Sequence, residues 1–285
     1  MRLTLQKAKE LHTLSTLGIG GKAELFVEVH TILEMQFVLS LIQERALRFW
    51  IVGHGSNTLF DDRGFRGLVI KNCIDFCEEK EGQIHVGAGH AFSTLGIRTA
   101  FQNWGGVEFA ASIPGTVGGA VYMNAGCHGR TTSHHLVSVG YVDRRGCFMT
   151  LSCEQLTFGD RYSSFHEMDG VIVSAMFQLV PDDQAKDRQR EWIHYRLKEH
   201  PVQERSGGCV FRNFPDISAG ALIDRCGLKG ARRGDAQVAT QHANFIINRG
   251  RATSKDVLDL IDKICQVVRT KSQRELTLEL CVAPY

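Results

Sequence analysis

EFAASIPGTVGGAVYMNAG, residues 108–126, is the stretch around which the rest of the chain is organised. Five of its nineteen residues are loop formers (Pro114, Gly115, Gly118, Gly119 and Gly126), and no charge follows Glu108. Glycine reaches dihedrals that a Cβ forbids and lets a backbone approach a ligand closely. Pro114 fixes the entry to a turn, and Thr116 suits the N-cap of a short helix running from Val117 towards Asn124. Bare amides between Ile113 and Gly119 suit a phosphate or diphosphate. Taken alone, the stretch reads better as a tight turn with close helix packing.

It is not alone. Upstream, FWIVGHGSNTLFDDRGFRGLVI at residues 49–70 places an apolar, β-prone run directly before Gly53-His54-Gly55-Ser56-Asn57. Backbone amides there, with the Ser56 and Asn57 side chains, suit a second phosphate. This is no Rossmann fingerprint, because Thr58 takes the third glycine's place and Asp61-Asp62-Arg63-Gly64 breaks the chain where a helix should follow. Two such loops suggest a dinucleotide held from two sides.

The composition sets limits. A chain of 285 residues can form two or three lobes with sizeable cores. A formal net charge of +2 argues against nucleic acid or an anionic membrane as partner. No apolar run reaches the length of a membrane span, since Glu28, His30 and Glu34 interrupt the longest candidate. The amino-terminal MRLTLQKAKE lacks the apolar core of a signal peptide, so a cytoplasmic protein is expected. Nine scattered cysteines form no C-x-x-C pair and twelve histidines no H-E-x-x-H, so no metal site is expected.

The pattern divides into three lobes. In the first, residues 1–75, strand-like alternation at 25–29 precedes a helix at 32–43, with Leu33, Phe37, Val38 and Leu41 at helical spacing. Strands at 48–52 and 68–70 complete a βαβ-like unit. The second lobe, 76–187, has a strand at 83–86, a helix at 93–103 and antiparallel strands at 137–143, 147–151 and 171–180, with a hairpin turn at Arg144-Arg145-Gly146. A charged helix at 182–198 leads into the third lobe, 188–285. There, helices at 219–226 and 254–270 flank a strand at 244–248, and a strand at 276–282 closes the chain. The stripe Val257, Leu260, Ile261, Ile264 and Val268 reads as packing.

The motifs in their order resemble the UDP-N-acetylenolpyruvoylglucosamine reductase family. They are His12-Thr13 with Leu17-Gly18-Ile19-Gly20-Gly21, the 53–57 loop, the IPGTVGGAVYMNAG block and Arg161-x-Ser163-x-Phe165. Gly208-Cys209-Val210-Phe211-Arg212-Asn213, Gly227-Leu228-Lys229-Gly230 and His242-Ala243-Asn244-Phe245 follow. The resemblance runs nearly end to end. It implies an α+β protein with a two-lobed FAD-binding fold of the PCMH/vanillyl-alcohol-oxidase type and a C-terminal α+β substrate-binding domain. It also implies a monomer that reduces UDP-N-acetylglucosamine enolpyruvate to UDP-N-acetylmuramate, with non-covalent FAD as cofactor and NADPH as co-substrate. The short link between Arg161 and Cys209 resembles the family's shorter form.

Residue roles follow from that resemblance. FAD would be held by Gly53, Gly55, Ser56, Asn57, Ile113, Pro114, Gly115, Thr116, Gly118, Gly119, Asn124 and Gly126. Arg161, Cys209 and Glu279 would be catalytic, with Glu275 the nearest rival to Glu279. Arg212, Asn213, His242, Asn244 and Tyr122 (or Tyr162) would contact substrate. Hydride addition to one alkene carbon leaves electron density on its neighbour, delocalised into the carboxylate. A guanidinium can stabilise that carboxylate, and an acid must protonate the carbon. Cys209 stands where relatives commonly carry serine. Asp160, Phe214 and His54 depart from the family's usual residues. Two other classes are weighed against this reading: a flavin oxidase with His54 covalently attached, and a sugar-nucleotide binder that has lost its flavin.

Overall fold

The computed structural model describes residues 3–285; Met1 and Arg2, which open both the first lobe and the amino-terminal segment read above, lie outside the described residues. Two compact units are present. One contains the residues up to Gln6, Phe26–Gly53 and Gly67–Tyr195; the other contains Lys7–Leu25, His54–Arg66 and Arg196–Tyr285. Among the described residues, no helix is long and apolar enough to cross a membrane.

Strands Lys22–Val29, Phe65–Asn72 and Phe49–Val52 lie side by side in that order, with residues 26–29, 67–72 and 49–52 of them counted in the first unit. The last two run parallel, from Phe49 opposite Leu68 to Val52 opposite Lys71. The two strands of the expected βαβ unit are therefore not neighbours, because Phe65–Asn72 lies between them. Helix α1 (Ile32–Glu44) starts at Thr31, whose side chain accepts from the Glu34 amide, while Glu34 accepts from the His30 amide. It buries Met35, Val38, Leu39 and Ile42. The stripe expected at Leu33 and Phe37 faces outward instead, with Leu33 74% exposed. From Leu33 to Ile42 four apolar residues are buried and three more, Leu33, Phe37 and Leu41, lie off that face, so periodicity alone could not choose between them.

A five-stranded antiparallel sheet carries the rest of this unit, in the order Phe148–Ser152, Leu136–Asp143, Gly170–Gln178, Gln83–Gly87 and Cys77–Lys80. The hairpin turn lies where expected. Asp143 accepts from the amides of Arg145 and Cys147, and Gly146 takes a φ of 84° that favours glycine. Helices α2 (Phe92–Phe101) and α3 (Val117–Tyr122) and the turn Glu108–Ser112 pack on the sheet. Phe92, Phe109, Val117 and Val121 meet Ile84, Val86, Val139 and Phe177 in one core.

Glu108 is fully buried in this unit. Its Oε2 accepts from the Gly106 amide at 2.6 Å, and its Oε1 accepts from Arg188 Nη2 at 2.6 Å and Nε at 3.2 Å. Arg188 also binds Asp182 and lies at the start of α4 (Ala185–Glu199). The Arg188 guanidinium holds the Asp182 carboxyl below its ordinary range.

The second unit builds its sheet in the order Ser206–Cys209, Phe245–Asn248, Ala236–Val238 and Arg232–Arg233, all antiparallel. Helices α5 (Ala219–Arg225) and α6 (Ser254–Ser272) cover it. Thr253 and Asp256 cap α6 reciprocally. The predicted stripe from Val257 to Val268 is buried with Ala219, Leu222 and Ile223. The strand expected at 276–282 is interrupted. Leu278 makes one isolated bridge to Phe211, and only Cys281–Ala283 forms a strand, parallel to Thr58–Phe60.

We expect Glu108→Ala to destabilise the first unit by about 3 kcal/mol, the low end for breaking a buried pair, because Arg188 keeps Asp182. Urea denaturation would measure this. The Asp182 contribution carries its own pH signature. A depressed carboxyl stabilises fully above the ordinary value, about 4, and this stabilisation is lost as pH falls through the native value. Asp182→Asn should flatten that acid limb.

Candidate active site

The opening stretch forms a cradle. Thr116 caps α3, its hydroxyl accepting from the Gly119 amide. Val117 donates to the His90 carbonyl and Phe92 to the Gly115 carbonyl, so Ala91 and Thr116 face each other as a bridge whose bonds are made by their neighbours. The Thr116 amide consequently points away from that bridge. Among the described residues, neither Gly115 nor Thr116 donates its amide to a backbone carbonyl. Gly115 has a φ of 125°, which favours glycine.

The two glycine-rich segments meet here. A Cβ on Gly53 would lie 2.4 Å from Thr116 Oγ1, and one on Gly118 would lie 2.9 Å from the Ala88 Cβ. Both glycines permit close packing. Gly119 differs, since a Cβ there would meet only Thr116 Oγ1, at 3.6 Å. Outward amides with an open side at Gly119 fit a phosphate-bearing ligand such as FAD.

The far end of the stretch fixes Arg161. Asn124, in the left-handed region at φ 41°, donates to the Gly159 carbonyl at 2.9 Å and accepts from the Ser133 amide at 3.0 Å. Gly159 pairs with Tyr162 across a tight turn that holds Arg161 at φ 52°. Arg161 Nη2 donates to the Gly126 carbonyl at 3.2 Å, and Nη1 lies 3.3 Å from Asp160. Tyr122 packs on His166, which also stacks with Tyr162. The Tyr122 carbonyl accepts from Ser163.

In the second unit, Gly55 stands at φ 64°, where a Cβ would strike the Leu14 carbonyl, and Gly208 lies against the Ser56 carbonyl. Asn57 donates its carboxamide to the Glu279 carbonyl at 3.1 Å, and its own carbonyl accepts from Cys281. Cys209 ends its strand opposite Phe245. Glu279 donates its amide to the Val210 carbonyl at 2.8 Å, and Arg212 donates to Thr277. Arg212 and Glu279 thus flank the isolated Phe211–Leu278 bridge, and Cys209 lies one residue before the segment that makes it.

Asn244 is 2% exposed, and its carboxamide bonds both the amide and the carbonyl of Phe211. His242 Nδ1 accepts from the Asn244 amide, and its ring meets His200 and Phe245 edge-on. Burial, with Lys229 nearby, pushes the His242 pKa down. Asn213 accepts from the Ala219 amide at the start of α5. Burial pushes the Cys281 thiol up to about 11, with Glu279 acting in the same direction. The supporting carbonyls of Ala88 and His90 went unassigned in the sequence reading. The signal for them was Gly87-Ala88-Gly89, a third glycine-rich turn.

A family model described as FAD binding domain matches residues 23–152. A second, described as UDP-N-acetylenolpyruvoylglucosamine reductase, C-terminal domain, matches residues 200–283. The chain is 50% identical over 276 residues to the UDP-N-acetylenolpyruvoylglucosamine reductase of Protochlamydia amoebophila, covering 96% of this chain and 92% of that one. It is 42% identical over 283 residues to that of Chlamydia trachomatis, covering 99% and 97%. The crystal structure of UDP-N-acetylenolpyruvylglucosamine reductase from Thermus caldophilus matches over the whole of both chains, with a TM-score of 0.83 and 33% identity.

The open side at Gly119 separates binding from folding. We expect Gly119→Val to remain folded but to purify with sharply reduced flavin, read from absorbance per chain. Gly118→Val should instead lower the thermal midpoint, because its side chain collides with Ala88. Full flavin occupancy in Gly119→Val would exclude the cradle.

Proposed function

This chain belongs to the UDP-N-acetylenolpyruvoylglucosamine reductase family, and from that premise we propose how its residues share the reaction. It is a flavin-dependent oxidoreductase of peptidoglycan precursor synthesis, reducing UDP-N-acetylglucosamine enolpyruvate to UDP-N-acetylmuramate. The assignments below are our own reading. Residues 1–75 and 76–187 serve as the two lobes of the flavin domain, and 188–285 as the substrate domain. NADPH is the reductant. FAD, held without a covalent bond, supplies hydride for the vinyl carbon.

The 113–119 cradle with Gly53, and Gly55, Ser56, Asn57, Asn124 and Gly126, hold the cofactor. Amides at Gly115 and Thr116 receive a diphosphate, while Asn124 acts by fixing the Gly159 turn. Arg161 binds the carboxylate of the enolpyruvyl group. Its planar fork matches two oxygens, and its charge favours electron density moving onto them as the double bond is reduced. Anchorage to the Gly126 carbonyl supports this role, because it limits where the guanidinium can reach.

Cys209 supplies the proton. A thiol is a far stronger acid than an alkyl alcohol, so it can protonate the carbon that gains electron density, leaving a thiolate that solvent reprotonates. Glu279 bonds the intermediate or relays that solvent proton to Cys209. Arg212, Asn213 and Tyr122 are assigned to the sugar nucleotide. His242 and Asn244 line the same substrate site, where the Asn244 carboxamide also holds the Phe211 backbone. The observation that supports this reading is the hydrogen bonding of residues 210–212 to 277–279, since Cys209 directly precedes the first segment and Glu279 belongs to the second.

We expect Cys209→Ala to keep its flavin and its reduction by NADPH, yet to slow reoxidation by the enolpyruvyl nucleotide by about 100-fold or more. Cys209→Ser should retain substantial turnover. The donating form is S–H, so the wild type should lose this step as pH rises and the thiol ionises, a limb absent from Cys209→Ser. Anaerobic stopped-flow measurement of flavin absorbance reads both half-reactions. Normal reoxidation in Cys209→Ala would return the residue to the core.

A further inference from the structure

We propose that Glu28, His30 and Cys73 form a binding site for one divalent transition-metal ion of zinc-like character. Glu28 and His30 stand two positions apart at the end of strand Lys22–Val29, so their side chains leave on the same side. Cys73 follows the neighbouring strand Phe65–Asn72, and its amide donates to the Val29 carbonyl at 2.8 Å. The carboxylate, imidazole and thiol ligand atoms all lie within 4.8 Å of one another.

The donor set is selective. One sulfur, one nitrogen and one oxygen suit zinc-like ions, and are a poor set for magnesium or calcium, which take oxygen. Tetrahedral zinc with ordinary bond lengths holds such atoms about 3.4–3.6 Å apart. His30 Nε2 and Glu28 Oε2 are already 4.0 Å apart. Small rotations of partly exposed side chains close the remainder, and water fills the fourth position.

Lys71 decides which oxygen binds. Its Nζ lies 3.0 Å from Glu28 Oε1, whereas Oε2 is the atom nearer His30. The ammonium can stay on Oε1 and orient the carboxylate while Oε2 takes the metal. Cys73 releases its thiol proton to solvent as the sulfur–metal bond forms. The charges then sum to +1, from the metal and Lys71 against Glu28 and the thiolate, which the exposed face tolerates.

The site also has a structural consequence. Ile74 accepts from the Gly89 amide, and the neighbouring carbonyls Ala88 and His90 accept from Gly118 and Val117. A metal at Cys73 therefore pins one end of the segment that supports the cradle. Binding should stabilise this unit.

The test uses the full flavin-loaded chain, freed of metal by a chelator and titrated with zinc by calorimetry at neutral pH. We expect one equivalent whose affinity falls at least about 10-fold in Cys73→Ser and in His30→Ala. Cys147→Ser, which removes an exposed thiol elsewhere, should change nothing. Zinc should raise the thermal midpoint of the wild type but of neither ligand variant, and cadmium NMR should report a single sulfur ligand. Equal flavin content and equal metal-free midpoints in the variants separate lost ligation from lost folding. Zinc binding undiminished in both ligand variants, absence of binding at large excess, or a sulfur-free cadmium resonance would each overturn the proposal.

Discussion

Three backbone hydrogen bonds hold the cradle to the sheet: Gly118 to Ala88, Val117 to His90, and Phe92 to Gly115. All three consume groups that a loop would otherwise leave to water. The segment 87–90 is itself fastened on both sides, with Ala88 donating to Val173 and Gly89 to Ile74. The amides left over are thereby aimed by a rigid support, and a preorganised donor needs no reordering when an anion arrives. The glycines follow from this constraint. Gly53, Gly87, Gly89 and Gly118 each stand where a Cβ would meet another residue's atoms within 3 Å.

Glu108 secures the approach to the same loop. A fully buried carboxylate is costly unless its charge is matched and its lone pairs are taken. Here Arg188 matches the charge and the Gly106 amide fills the other oxygen. The pair fixes the turn Glu108–Ser112, which leads directly into Pro114, and ties it to the start of α4. One carboxylate thus sets both where the glycine-rich turn begins and where the polar helix starts.

The sequence made some of this readable and hid the rest for physical reasons. Glycine, proline and capping residues report backbone geometry locally, so the Thr116 cap, the Gly146 turn and the α6 stripe were all visible. Elements whose identity depends on a distant partner were not. The 3-residue strand at Cys281 exists because Thr58–Phe60 lies beside it, and nothing in its own residues says so. The exposed face of α1 was misread because apolar residues occupy both faces. Among the site residues, Asn244 reads as a ligand contact from its motif, and the structure adds that its carboxamide bonds the Phe211 backbone, a partner no local pattern reveals. Roles for Arg161, Cys209 and Glu279 came from family resemblance alone. An arginine beside a turn and a glutamate near a short strand carry no local mark of chemistry.

The thiol in place of a hydroxyl imposes a condition on its surroundings. A hydroxyl keeps its proton at any ordinary pH, but a thiol near a guanidinium is drawn towards thiolate. The segments hydrogen-bonded beside Cys209 carry Glu279 and Arg212, charges of opposite sign. Both reach Cys281, where burial is the largest influence, Glu279 favours the protonated sulfur and Arg212 opposes it. Burial and the carboxylate prevail there, and that thiol stays protonated. A proton donor on this edge needs the same balance, with apolar packing and a carboxylate outweighing the cation. Cys209 has the packing, against Ala239, Phe245 and Ile247. On the proposed assignment, an acidic residue at 279 has a physical use even where it touches no substrate atom, because its charge favours a protonated sulfur on this edge as it does at Cys281.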